Sequence, residues 1–281
     1  MNHKIVLGTV QFGVDYGISN DGGKTNIDEI SKILEYCKKL SILQMDTAPA
    51  YGNAENVLGN FNLENFKITS KFFNVKNARE LSTSLNNTLN ALNINKLFCY
   101  LSHRPLEVVK NDFIWKFLME KKQEGLIEKI GISVNEVNEL DEVLNTGIIP
   151  DVVQLPYNYL DRRFEKHALL LKEKNISIYA RSPFLQGLLF LKPEEINPQY
   201  LDFKNYLKLY NKNKEQLPLE LLKFVLKKDF IDFVVFGVNN LIQLKNIFEK
   251  NINLNTNYIL PPYKEFQNNI IVPSLWQNLK K

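Results

Sequence analysis

The chain has 281 residues, of which 44% are hydrophobic and 23% are charged, a composition typical of a globular protein with a full apolar core. Its 35 basic and 31 acidic residues leave a net charge of only +4 without a basic stripe, which argues against nucleic-acid binding. The longest apolar runs, such as FVVFGV, have the length of one strand, and the N-terminus lacks a long apolar signal segment. We therefore expect a cytoplasmic protein that does not enter a membrane.

Short apolar runs rich in β-forming residues are spaced along the chain and predict eight strands. Several are apolar at successive positions, as in parallel strands that are covered on both faces. The predicted strands are Lys4–Val10, Leu43–Thr47, Lys67–Lys71, Leu97–His103, Lys129–Val134, Val152–Pro156, Ser177–Arg181 and Phe233–Gly237.

Amphipathic segments with helical periodicity separate most of these strands. The first, Ile27–Leu40, follows a Thr-Asn cap and places its apolar residues on one face. The other predicted helices are Asn77–Leu92, Phe113–Glu124, Val137–Leu144, Phe164–Lys174, Leu219–Lys227 and Leu241–Lys250. The alternation predicts a closed (β/α)8 TIM barrel. The alternative is a doubly wound open sheet, which is disfavoured because no G-x-G-x-x-G follows the first strand.

We expect one domain over residues 1–281, because no linker or low-complexity segment divides the chain. Two segments depart from the alternation: the long polar loop Leu188–Lys214 after the seventh strand, and the tail from Tyr258. A long loop in a compact domain is usually functional or contains extra helices, and we expect the tail to pack over one end of the barrel. Cys37 and Cys99 have no neighbours at metal-ligand spacing, so we expect two buried thiols and no metal site.

Four polar side chains follow or end three neighbouring strands and indicate the active site. Asp46 ends the second strand and Tyr51 lies in the loop after it, while Lys71 and His103 end the third and fourth strands. The active site of such a barrel lies at the carboxyl ends of its strands. A lysine beside the tyrosine lowers the pKa of the phenol, an aspartate holds the lysine charged, and a neutral histidine can orient a carbonyl. This set suits proton transfer to a carbonyl oxygen while hydride reaches the carbon.

The chain resembles the aldo-keto reductases in these residues and in further motifs. The match extends from about Lys4 to Lys250. The motifs are DTAPAYGNAE (46–55), ITSK ending at Lys71, LSH ending at His103, KIGIS (129–133), VVQLPYN (152–158) and FGVNNLIQL (236–244).

The resemblance implies a reduction of an aldehyde or ketone by a nicotinamide cofactor, with NADPH as the family default and NADH use possible. It implies that Tyr51 is the general acid, that Lys71 and Asp46 tune it, and that His103 orients the carbonyl. The implied cofactor-binding residues are Gly8, Thr9, Ser133, Gln154, Arg181, Ser182, Phe184, Leu185, Gly187, Gly237, Val238, Asn239 and Gln243. The partner is a small-molecule carbonyl substrate, and the oligomeric state stays open.

Three departures from the family pattern bear on the cofactor. Val134 replaces an asparagine that follows the serine in many members, and Arg181 replaces an aromatic residue that stacks on the nicotinamide. The arginine that grips the 2′-phosphate near Gln243 is absent, although Lys245 is a substitute point charge. Arg181 could instead meet an anionic substrate.

The motifs GTVQFGVDYGISN (8–20), QLPYNYLDRR (154–163) and RSPFLQGLL (181–189) resemble a bacterial subgroup associated with sugar and surface-polysaccharide modification. The implied substrate is then the carbonyl of a sugar or nucleotide-sugar. Two alternatives stay open. One is a regulatory protein that senses the nicotinamide cofactor with little catalysis, and the other is a redox-neutral sugar epimerase or lyase that uses the same four residues.

Overall fold

The structure is a computed structural model that describes residues 2–210, 215–249 and 259–280. Eight strands close into a barrel in the order β1 to β8, and every neighbouring pair is parallel. The predicted (β/α)8 barrel is confirmed. The strands are β1 Ile5–Gly8, β2 Gln44–Asp46, β3 Lys67–Phe72, β4 Leu97–Ser102, β5 Ile127–Ser133, β6 Val152–Pro156, β7 Ser177–Arg181 and β8 Phe233–Phe236.

Helices follow the strands around the outside of the barrel. The α-helices are α1 Val10–Gly13, α2 Ile27–Lys39, α3 Ala54–Leu58, α4 Ala78–Leu92, α5 Pro105–Lys110, α6 Asp112–Gln123, α7 Val137–Asn145, α8 Glu165–Glu173, α9 Leu201–Leu207, α10 Leu217–Leu226, α11 Leu241–Phe248 and α12 Asn268–Ile271. The predicted cap of α2 is confirmed, since Asn26 Oδ1 accepts from Glu29 N. The predicted helix Leu241–Lys250 ends at a residue outside the described ranges.

The sequence prediction missed the helix after β2. Helix α3 has five residues and is fixed by packing, because Ala54, Glu55 and Leu58 are buried. One turn of helix carries too few residues to show a helical period. Short helices α1, α5 and α12 were missed for the same reason.

Three apolar clusters hold the molecule together. One fills the barrel with strand side chains such as Leu101, Val152 and Tyr179, and a larger one lies between the strands and the outer helices. The third, here called the C-terminal cluster, joins the segment after β7 to the tail. Its buried members are Tyr159, Leu160, Leu185, Leu188, Leu189, Leu191, Ile196, Phe203, Tyr206, Leu207, Tyr210, Leu217, Leu221, Phe266, Ile270, Ile271, Val272 and Leu279.

The described part of the long segment after β7 contains α9 and four short 3-10 helices, Leu185–Phe190, Pro193–Glu195, Pro198–Tyr200 and Lys208–Tyr210. Extra helices were one of the two expectations for this loop, whose last residues 211–214 lie outside the described ranges. The described tail packs on this segment and on the loop after β6: Asn197 N donates to Leu279 O, and Tyr159 Oη donates to Pro261 O. Both predicted thiols, Cys37 and Cys99, are buried and unpaired. No helix in the described part of the chain has the length and apolar character needed to cross a bilayer.

Candidate active site

The four predicted catalytic residues meet at the carboxyl ends of β2, β3 and β4. Lys71 Nζ donates to Asp46 Oδ1 at 2.6 Å and to Tyr51 Oη at 3.2 Å. A third bond, to the carbonyl oxygen of Thr47 at 2.9 Å, uses the last proton of the ammonium group. The His103 ring lies edge-on to the Tyr51 ring, with centroids 6.3 Å apart.

Strand register explains why Lys71 and Asp46 meet. Asp46 pairs with Thr69 across β2 and β3. Lys71 is two residues beyond Thr69, so it points to the same face of the strand. The lysine side chain is fully buried and that of Asp46 is 3% exposed. A buried charge is costly unless it is paired, so each partner depends on the other.

The pKa of Tyr51 departs from expectation. Burial raises it above its ordinary value, and the charge of Lys71, which lowers it, does not compensate. The prediction of a lowered pKa was therefore wrong in net direction, because it left out the desolvation of the phenolate. For Lys71, burial alone would lower the pKa, but Asp46 and the Tyr51 hydroxyl raise it above the ordinary value. The pair thus holds both protons at neutral pH.

His103 is neutral at neutral pH. Burial, followed by the positive charges of Lys71, Arg181 and Arg104, lowers its pKa to about 3. A neutral imidazole carries one N–H donor and one acceptor nitrogen. It can therefore hydrogen-bond a carbonyl oxygen without supplying a mobile proton.

Asp46 is also bonded to β6. Gln154 Nε2 donates to Asp46 Oδ2 at 2.7 Å, and Ser133 Oγ donates to Gln154 Oε1 at 3.2 Å. Ser133 and Gln154 are register partners on β5 and β6, which sets this chain of contacts. The polar atoms of Ser133 and Gln154 already bond within the protein. The contact with the nicotinamide cofactor that the resemblance implies for these two residues therefore stays a prediction.

A cavity of about 700 Å³ opens above these residues. Two predicted site residues, Lys71 and Ser133, do not line this cavity. Lys71 donates a hydrogen bond to Tyr51 and Ser133 donates one to Gln154, and both acceptors line the cavity. The predicted residues that line it are Gly8, Thr9, Asp46, Tyr51, His103, Gln154, Arg181, Ser182, Phe184, Leu185, Gly187, Gly237, Val238, Asn239 and Gln243.

Sequence reasoning missed part of the cavity wall. Asn158, Asp161 and Arg163 were quoted only within a motif, and residues Ile271 to Ser274 of the tail were not identified. Their spacing carries no signal for a pocket, because only the tertiary packing of the tail brings them to the rim. In the first loop Tyr16 lines the cavity, whereas Phe12 is fully buried in the core.

The wall of the cavity suits a dinucleotide. A Cβ atom at Gly237 would lie 2.2 Å from Gln11 Oε1, and one at Gly187, where φ is +87°, would lie 2.0 Å from Ser19 Oγ. Glycine is therefore required at both positions of the wall, because the side chains of Gln11 and Ser19 pack directly against the backbone there. Gln11 Oε1 is buried with no hydrogen-bond partner among the described residues, and a hydroxyl of a bound ligand would satisfy it. The volume lies in the range of cofactor sites.

The amino end of α11, where the resemblance places the cofactor-binding residues Asn239 and Gln243, already has protein partners. Gln243 N donates to Asn240 Oδ1, and Asn239 N donates to Gln243 Oε1. Leu241 N donates to the carboxylate of Glu29 at 2.6 Å. Lys245 Nζ lies 5.7 Å from the centre of the Tyr36 ring, over α2.

Arg181, the last residue of β7, is held by neutral groups. Its Nη2 donates to Val134 O at 2.9 Å and to Asn135 Oδ1 at 2.5 Å. The side chain of Val134 is fully buried and offers no polar atom.

A closed barrel with a Tyr-Lys-Asp-His cluster at its rim defines a TIM-barrel enzyme. The aldo/keto reductase family model matches residues 4–259. Methylglyoxal reductase DkgA of Escherichia coli K12 is 28% identical over 191 residues, which cover 66% of this chain and 67% of that protein. Rhazimal reductase 2 of Alstonia scholaris is 31% identical over 189 residues, with coverage of 57% and 58%.

A solved aldo-keto reductase of Bacillus halodurans, in its holo form, has the same fold. Its TM-score is 0.70 at 20% identity, and the match covers 99% of this chain and 92% of that one. The chain therefore belongs to the aldo/keto reductase family of NAD(P)H-dependent oxidoreductases.

Proposed function

We propose that the chain reduces a small aldehyde or ketone to an alcohol, with Tyr51 as the proton donor. The contact between Lys71 Nζ and Tyr51 Oη, 3.2 Å long on the cavity floor, carries the proposal. When bound, a nicotinamide dinucleotide would supply the hydride. Methylglyoxal reductase, named for its action on a small dicarbonyl, supports this class of substrate. The hypothesis that the substrate is a sugar or nucleotide-sugar rests on the resemblance to the bacterial subgroup alone.

The proton path follows from the contacts. Tyr51 holds its proton because burial raises its pKa, and it would give that proton to the carbonyl oxygen as the oxygen gains negative charge. The phenolate left behind would be stabilised by Lys71, which stays charged because Asp46 pairs with it. His103 would donate a hydrogen bond to the same oxygen and fix its direction. The negative charge thus forms where a buried cation already lies.

The catalytic test is Tyr51→Phe, which removes the hydroxyl and keeps the ring. We expect kcat for methylglyoxal reduction to fall at least about 100-fold, while Kd for NADH, measured by calorimetry, changes little. Turnover at the wild-type rate in this variant would refute the role of Tyr51. If the wild type binds NADH but reduces none of a panel of aldehydes and keto-sugars, the sensor alternative is favoured. Product formation without net cofactor consumption would indicate an epimerase or lyase.

For the cofactor, we propose that NADH binds at least as well as NADPH, in contrast to the family default. On the resemblance, the adenosine phosphate lies at Gly237–Gln243. There the carboxylate of Glu29 accepts a hydrogen bond from Leu241 N, and the ammonium group of Lys245 lies over the Tyr36 ring. A 2′-phosphate at that position would meet this carboxylate, whose only ion-pair partner in the described part of the chain is the exposed Lys32 at 3.6 Å, and it would meet no arginine.

The cofactor test compares Kd for NADH and NADPH in the wild type and in Glu29→Gln, which keeps the acceptor oxygen and removes the charge. We expect the variant to bind NADPH roughly threefold to tenfold more tightly and NADH unchanged. Glu35→Gln removes the same charge from an exposed position of α2 and should alter neither value. Wild-type protein that binds NADPH tenfold more tightly than NADH would refute the proposal.

A further inference from the structure

Two arginines line the cavity, and their partners differ. Arg163 is neutralised: Nη1 lies 2.6 Å from Glu136 Oε2, and Nε lies 2.9 Å from Asp161 Oδ1. Arg181 bonds only to a carbonyl oxygen and an amide oxygen. No carboxylate in the described part of the chain lies within ion-pair distance of its guanidinium group. One full positive charge is therefore left facing the cavity.

The free charge of Arg181 lies close to the reacting groups. Its positive charge opposes the rise that burial gives the pKa of Tyr51 and Tyr16, and it adds to the fall that burial gives the pKa of His103. Arg181 ends β7 beside Pro156 of β6, and it lines the same cavity as Tyr51, Tyr16 and His103.

Arg181 also lies where two cavities meet. Asn135, which holds its Nη2, and His103 line both the main cavity and a neighbouring groove of about 670 Å³. A substrate whose carbonyl oxygen contacts Tyr51 and His103 would extend past the guanidinium group. Nη1 and Nε have no hydrogen-bond partner among the described residues, so each can still donate a charge-assisted hydrogen bond to an oxygen of a carboxylate or phosphate.

We propose that Arg181 binds a negatively charged group of the substrate, so that the preferred substrate is an aldehyde or ketone bearing a carboxylate or phosphate. The proposal rests on the carbonyl reduction proposed above. A phosphate of the dinucleotide is the other source of the same chemistry. Substrate is favoured because Arg181 lines the same cavity as Tyr51 and His103, and because its partner Asn135 lines the neighbouring groove together with His103.

The test uses two aldehydes that differ only in charge, succinic semialdehyde and its methyl ester. We expect the wild type to reduce the acid with at least about tenfold higher kcat/KM than the ester. Arg181→Gln should abolish this ratio by raising KM for the acid, and Arg181→Lys should restore part of it. Arg79→Gln, an equal charge change on the exposed face of α4, should keep the ratio.

Binding measurements separate the outcomes. Titration of the NADH-loaded protein with unreactive succinate should show binding that Arg181→Gln weakens at least tenfold, with Kd for NADH unchanged. If Arg181→Gln weakens NADH binding and lowers the turnover of both aldehydes alike, the arginine binds the dinucleotide and the proposal fails. It fails also if the wild type reduces both equally or binds succinate independently of Arg181. Arginine-dependent succinate binding without any turnover would keep the anion site and refute the proposed reduction instead.

Discussion

His103 shows how one buried side chain can couple catalysis to stability. Its imidazole is desolvated and lies near Lys71, Arg181 and Arg104, which together lower its pKa to about 3. An unfolded chain would titrate this group near 6.5. The protonation state of His103 is therefore constant across the physiological range, and activity between pH 5 and 8 should show no inflection from it.

The same shift predicts a pH dependence of stability. Between pH 6.5 and 3 the unfolded chain binds a proton at His103 that the folded chain does not bind. The free energy of unfolding should then fall as pH decreases through this range. In urea titrations at pH 7.5 and 5.0, we expect the wild type to lose about 1 kcal/mol more than His103→Gln. An equal loss in both proteins, or an imidazole that titrates near 6.5 by NMR, would contradict the shift.

The grouping of the four predicted catalytic residues could be anticipated from sequence, because each lies at or just after the end of a strand and carries its chemistry in its side chain. The net pKa of Tyr51 could not, since it depends on how much water the fold excludes around the phenol. The hydrogen-bond partners of Gln154 and Arg181 could not be predicted from sequence either. Each bonds to a group on a different strand or in the loop that follows one, and distance in sequence gives no measure of that contact.

At the scale of elements, the turn that carries Tyr51 is held by helix α1. Gly13 lies so close to this turn that a Cβ atom on it would sit 1.7 Å from Tyr51 O and 2.6 Å from Ala54 N. Gly52, at φ +60°, packs back against Gly13, where a Cβ atom would lie 2.7 Å from its oxygen. Both contacts are between backbones, which have no side-chain rotamer with which to relax. The position of the Tyr51 hydroxyl therefore depends on the first loop.

We expect Gly13→Ala to displace Tyr51 and lower kcat roughly 100-fold, because a shift of about 1 Å at a reacting group has an effect of that size. The overpacked turn should also cost about 1–3 kcal/mol of stability. Gly22→Ala is the matched control in the same loop, since its Cβ would have an ordinary contact at 3.7 Å. Steady-state kinetics and thermal melts check both variants. Wild-type kcat in Gly13→Ala would show that the turn is not held from this side.

At the scale of the whole molecule, the barrel could be predicted, and so could a tail that packs over one end of it, but the contacts that hold the tail could not. Eight apolar runs separated by helical patterns leave few topologies, whereas the tail has short elements and prolines without a period. Its place is set by burial against α9 and the segment after β7. There the Phe266 ring meets those of Phe203 and Tyr206 at centroid distances of 5.3 and 5.0 Å.

This C-terminal cluster supports the cavity, because Ile271 and Val272 belong to both. Phe266 is 8% exposed, so Phe266→Ala should lower the free energy of unfolding by about 3–5 kcal/mol. It should also raise Kd for NADH, since the rim at residues 271–274 loses its support.

Phe117→Ala separates these two effects. Phe117 is buried to a similar degree, at 7% exposed, but it lies on α6 and does not line the cavity. We expect a comparable loss of stability by urea titration with an unchanged Kd for NADH by calorimetry. If both variants weaken NADH binding equally, the loss reflects global stability. If only Phe266→Ala does so, the tail is part of the binding site through its packing.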